Sequence, residues 1–71
     1  MSTQKFTIEI EQEQDQRWIA EVVELPGVMT YGGSPDDAKA KVQALALRVL
    51  ADRLEHGESV PELLHISFEA A

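Results

Sequence analysis

Ser34–Pro35–Asp36–Asp37 fixes one helix start at one place in a chain of 71 residues. A serine oxygen can accept an otherwise unpaired backbone N–H at the N-cap. Proline is favoured at the first helical position, where its missing N–H costs nothing. The two aspartates complement the positive end of the helix dipole, and Ser34 with Asp37 approximates a capping box. The helix is predicted from Pro35 to about His56, with Gly57 as a left-handed C-cap. Ala38, Val42, Leu45, Ala46, Val49 and Leu54 follow helical spacing as an apolar stripe. A second strip, Ala40, Ala44, Leu47 and Ala51, makes the helix apolar over more than the usual width. One account is a broad core face filled out with good helix formers. The other is that Leu47 and the alanines meet a second chain. Arg48 and Asp52 are spaced for an i,i+4 ion pair.

Everything before the helix reads as β structure. Phe6–Thr7–Ile8–Glu9–Ile10–Glu11 alternates with period two, so Thr7, Glu9 and Glu11 share a wet face. Gln12 to Gln16 is polar and reads as a loop. Trp18 to Leu25 follows, with Trp18, Ala20 and Val22 on one face and Ile19, Glu21 and Val23 on the other. The pair suggests an antiparallel hairpin. Pro26–Gly27 predicts a type II turn, Val28 to Tyr31 a third strand, and Leu64 to Glu69 a fourth, after a loop over Glu58–Pro61. The expected fold is α+β, β-β-β-α-β. It is one mostly antiparallel four-stranded sheet in the order 3-2-1-4, with the helix on one face. Strand four returns parallel to strand one through a right-handed crossover. One helix covers only one face of such a sheet. A half-apolar open face is a candidate contact surface.

Residues 1–71 predict a single domain. A domain this size buries only about 60% of the surface of its unfolded chain, so reinforcement is expected. The absence of cysteine excludes disulfides and thiolate metal sites. Self-association, as a dimer or higher homo-oligomer, is then the expected reinforcement. Thirteen Asp and Glu against six Lys and Arg give a net charge of -7. That charge repels phosphates and favours basic partners, so no direct nucleic-acid binding is expected. No apolar run reaches membrane-span length, and Met1–Ser2–Thr3–Gln4–Lys5 lacks the design of a signal peptide. No membrane association and a cytoplasmic location are the expectation.

Nucleophilic chemistry has little to work with, because Ser34 is accounted for as a cap with no nearby base. His56 suits the negative end of the helix dipole, and His65 falls on the solvent side of strand four. Glu9, Glu11, Glu21 and Glu24 could cluster across strands one and two and hold Mg²⁺. They read more simply as the wet face of a hairpin. Gly32–Gly33 lacks a phosphate-binding fingerprint, and Asp36 and Asp37 put negative charge where a phosphate would sit. No catalytic residue, cofactor or metal is therefore assigned, and the chain is expected not to be an enzyme. Glu9, Glu11 and Glu21 are the candidate partner-binding residues, and Ala40, Ala44, Leu47 and Ala51 the candidate oligomer interface. Trp18 could serve as a binding anchor, as tryptophan often does, but core packing is the simpler role.

Phe6-x-Ile8, Trp18-x-Ala20, Glu24–Leu25–Pro26–Gly27–Val28, and Thr30–Tyr31–Gly32 before Ser34–Pro35–Asp36–Asp37–Ala38 together resemble the HicB-like antitoxin family. Gly57–Glu58 and Pro61 also fit. The resemblance covers Phe6 to about Pro61. It implies a partial ribonuclease-H-like fold lacking the catalytic acids. It also implies a partner, a small basic HicA-like toxin that cleaves mRNA and that the antitoxin blocks. An acidic antitoxin facing a basic toxin agrees with the charge argument. Many family members add a C-terminal DNA-binding segment; this sequence stops soon after strand four, so autonomous operator binding is not expected. A stand-alone homo-oligomer with a structural or regulatory role is the alternative.

Overall fold

The computed structural model describes residues 3–57 and 65–71. Its elements run β1 (Thr3–Gln12), β2 (Trp18–Val22), β3 (Met29–Gly32), α1 (Pro35–Glu55) and β4 (His65–Ala70). They form one mixed sheet in the order β3-β2-β1-β4. β1 pairs antiparallel with β2 and parallel with β4, and β2 pairs antiparallel with β3. This is the α+β fold expected from the sequence. The loop over Glu58–Pro61 and the residue Leu64 lie outside the described residues.

The local signals act as their chemistry requires. Val28 N–H donates to Leu25 O across Pro26–Gly27, with Gly27 at φ +86, which closes the type II turn. Ser34 Oγ accepts from Asp37 N–H at 3.0 Å. The Asp37 carboxylate reaches back one residue further than a capping box does. It accepts from Gly33 N–H at 3.1 Å and from Lys41 Nζ at 3.0 Å. At the other end Gly57 takes φ +69, a left-handed conformation that glycine adopts at no steric cost.

The core lies between α1 and the inner face of the sheet. Phe6 and Ile8 of β1, Ala20 and Val22 of β2, and Ala38, Val42, Ala46 and Leu50 of α1 are buried, with Leu25 and Val28 closing one end. Burying a side chain such as Ile8, Val22 or Val42 contributes about 1.5–3 kcal/mol each. Trp18 packs against this cluster, as does Phe68, whose ring centroid is 5.7 Å from that of Phe6.

Two expectations about α1 need correction. Leu54 is 51% exposed, and Leu50, outside the expected stripe, is buried. Each i+4 step advances about 40° around a helix of 3.6 residues per turn. The buried series Ala38, Val42, Ala46, Leu50 therefore spirals, and one more step carries Leu54 off the sheet. The Arg48–Asp52 pair is absent among the described ion pairs. Asp52 Oδ1 lies 3.3 Å from His56 Nδ1 instead. No helix among the described residues is long and apolar enough to cross a membrane.

β3 and α1 meet at Gly32. A Cβ there would lie 2.5 Å from Ala38 N and 2.8 Å from Asp37 Oδ2, whereas one on Gly33 meets nothing within 4 Å. Backbone cannot yield as a flexible side chain can. Gly32→Ala is expected to cost about 1–3 kcal/mol in urea denaturation, the range for overpacking, with Gly33→Ala near neutral. Equal effects would contradict the close approach.

Candidate functional site

The outer face of the sheet has no helix over it among the described residues. Alternation along the strands places Thr7, Glu9 and Glu11 of β1 there, Ile19 and Glu21 of β2, and Met29 and Tyr31 of β3. Register orders them into rows. Glu9 sits opposite Glu21, which sits opposite Met29; Glu11 sits opposite Ile19, which sits opposite Tyr31. Glu9, Glu11, Glu13 and Glu21 surround Ile19 in a shallow depression of about 170 Å³. All three sequence-assigned partner residues, Glu9, Glu11 and Glu21, thus fall into one patch, which Glu13 extends.

Like charges directly opposite one another on neighbouring strands are destabilising. The Glu9–Glu21 pair breaks that rule at the centre of the patch, and among the described residues neither is in an ion pair. Lys5, two residues before Thr7 on the same face, is in no described ion pair, whereas Arg17 is engaged elsewhere. Arg17 Nε is 2.6 Å from Asp15 Oδ2, and its guanidinium carbon lies 4.4 Å from the centre of the Tyr31 ring. The Arg17 backbone N–H holds the Asp15 carboxyl below its usual range; desolvation opposes it, and the Arg17 guanidinium adds to the lowering. A cation over an exposed aromatic ring contributes about 0.5–1 kcal/mol. It also fixes Tyr31 at the rim of the patch. Composition carried no sign of this contact, because it depends on the β2–β3 register, which sets Arg17 diagonal to Tyr31 on the same face.

Glu24 does not join the other acids. Its carboxylate accepts from Thr7 N–H at 2.7 Å and from Thr7 Oγ1 at 2.8 Å. Val23 N–H donates to Thr7 O beside it, so Glu24 supplies the acceptor for Thr7 N–H where β2 leaves the ladder. The four-carboxylate arrangement that the sequence allowed is therefore not assembled. Among the described residues no three or more His, Cys, Asp or Glu side chains are grouped as a metal would require. His56 and His65 are exposed and distant in the fold from the patch, on the helix C-cap and on β4.

The helix strip Ala40, Ala44, Leu47 and Ala51 is exposed along its whole length. Leu47 is its one large side chain, and the exposed Leu54 follows it. The chain matches no family model, no curated protein and no solved structure.

Desolvation raises the Glu24 pKa, but the two Thr7 hydrogen bonds outweigh it and the net shift is downward. A carboxyl whose pKa falls on folding stabilises the fold above the unfolded value of about 4.3. That contribution is lost as pH falls through the lower folded value. Asp37, lowered by the Lys41 ammonium and the Gly33 N–H, acts in the same direction. Glu24→Gln is expected to flatten the loss of stability between about pH 5 and pH 3, read from urea midpoints at each pH. An unchanged acid limb would show that the Thr7 contact does not hold Glu24 ionised.

Proposed function

We propose that this chain is an antitoxin-type binding module that neutralises a small basic, HicA-like mRNA-cleaving toxin by protein–protein contact. The open sheet face supplies the contact. The observation that carries the reading is the juxtaposition of Glu9, Glu11 and Glu21 around Ile19 on that face. Acidic side chains around an apolar centre suit a basic partner with an apolar anchor. The unpaired Glu9–Glu21 juxtaposition adds to this support, since a bound lysine or arginine would offset a repulsion that the free chain carries. The resemblance of Trp18-x-Ala20, Glu24–Leu25–Pro26–Gly27–Val28 and Ser34–Pro35–Asp36–Asp37–Ala38 to HicB-like antitoxins supplies the partner's identity.

A second reading is a stand-alone homo-oligomer with a structural or regulatory role. The exposure of Leu47 and Leu54 on α1 favours it.

The adjacent reading frame should encode a basic chain of under roughly a hundred residues, a small single domain. Co-expression should give a complex that loosens with salt. Glu9→Lys/Glu11→Lys/Glu21→Lys should cut the association rate at least tenfold at low salt and flatten its salt dependence. Unchanged kinetics would reject this face. Glu21→Lys alone should stabilise the free chain by about 0.2–1 kcal/mol while weakening the complex. A destabilised free chain would remove the repulsion argument.

A further inference from the structure

β3 is an edge strand, and among the described residues no strand pairs with its outer side. Val22 N–H donates to Val28 O, so Val22 and Val28 form a hydrogen-bonded pair of the β2–β3 ladder. Antiparallel pairs alternate between bonded and non-bonded. Met29 opposite Glu21 and Tyr31 opposite Ile19 are then the non-bonded pairs, and both residues turn their backbone N–H and C=O outward. Natural edges are blunted by charge, proline or a bulge. Val28–Met29–Thr30–Tyr31–Gly32–Gly33 has no charge and no proline, in a chain that is 27% charged. Met29 and Tyr31 are 42% and 43% exposed. The opposite edge, β4, carries His65 and Glu69.

We propose that two copies of this chain pair through β3, antiparallel about a two-fold axis at Thr30, to make one continuous sheet. The register follows from which groups point outward. Met29 of one copy exchanges both backbone hydrogen bonds with Tyr31 of the other, and the reverse. On the open face each methionine then lies against the other copy's tyrosine ring, a favourable sulfur–aromatic contact. The occupant is a second copy because this geometry is self-complementary and because the strand each copy brings is itself uncharged, the Arg17 guanidinium over each Tyr31 ring being held by Asp15 of its own chain. α1 lies mainly over β3 and β2. With strands about 4.8 Å apart, the axis sets the two helices on the order of 10 Å apart, a normal packing distance. The inference is independent of toxin binding, and salt separates the two. Each copy carries a net charge of -7, so added salt tightens this dimer, whereas it loosens a complex with a basic partner.

Sedimentation equilibrium of the full chain alone tests it, with circular dichroism confirming that each variant folds. The mass is expected to rise toward two chains with concentration, and more readily in high salt. Met29→Lys/Tyr31→Lys and Met29→Glu/Tyr31→Glu should each stay monomeric, and mixing them should restore a dimer. In the wild type, exchange of the Met29 and Tyr31 amide protons should slow as concentration rises, a readout that needs no variant. A monomer at every concentration up to about 1 mM, the weak end of specific association, overturns the inference. So does a dimer that survives charges at both positions, a mixture that stays monomeric, or amide exchange indifferent to concentration. A dimer lost in Leu47→Glu but kept by the variants at 29 and 31 also overturns it and assigns the seam to the helix strip.

Discussion

The close passage of Gly32 beneath the Ala38 backbone determines how the helix sits on the sheet. Any side chain at position 32 would push the first turn of α1 away from β3. Three polar contacts lock that approach. Asp37 accepts from Gly33 N–H, Ser34 accepts from Asp37 N–H, and Thr30 Oγ1 donates to Ala38 O. With the first turn fixed, the spiral of Ala38, Val42, Ala46 and Leu50 is set over Val22 and Ile8. Among the described residues the outer face is left bare as a result. One helix held this tightly to one side of a four-stranded sheet can do nothing for the other side.

That division separates the acids by role. Glu24 holds the Thr7 N–H where the β1–β2 ladder ends, and Asp37 holds the Gly33 N–H just before α1, so their charge is used in the fold. Glu9, Glu11 and Glu21 hold no such group among the described hydrogen bonds, and two of them face each other across a strand pair. A sequence in which local choices otherwise agree with the fold departs from them here. Such departures concentrate where a surface is reserved for something other than stability.

The architecture was legible because its punctuation is chemical. Pro26–Gly27, Ser34–Pro35 and Gly57 each impose a backbone conformation, and the alternation in Phe6–Glu11 sets which side is wet. The gathering of Glu9, Glu11 and Glu21 was legible for the same reason, since period two fixes a face and a short hairpin limits the register. Three features were not. Leu54 was misplaced because a stripe drawn on i+4 steps ignores their cumulative rotation. Glu24 looked like another surface acid, and only the end of the ladder at Val23 shows which amide it serves. The Arg17–Tyr31 contact depends on the β2–β3 register, which the short turn between those strands left open.

β1 is the strand with two neighbours of very different origin. β2 follows it after a short loop, whereas β4 comes from the far side of the helix, and the rings of Phe6 and Phe68 meet across that seam. Closing the long loop costs entropy before the contact returns anything. The hairpin, β3 and α1 follow one another through short connections, whereas the β1–β4 ladder closes only across the whole length of the helix. Removing β4 would strip one flank of β1 of its backbone partners and uncover the Phe6 ring in the same event. The last strand of the chain is thus tied to the core as well as to the sheet.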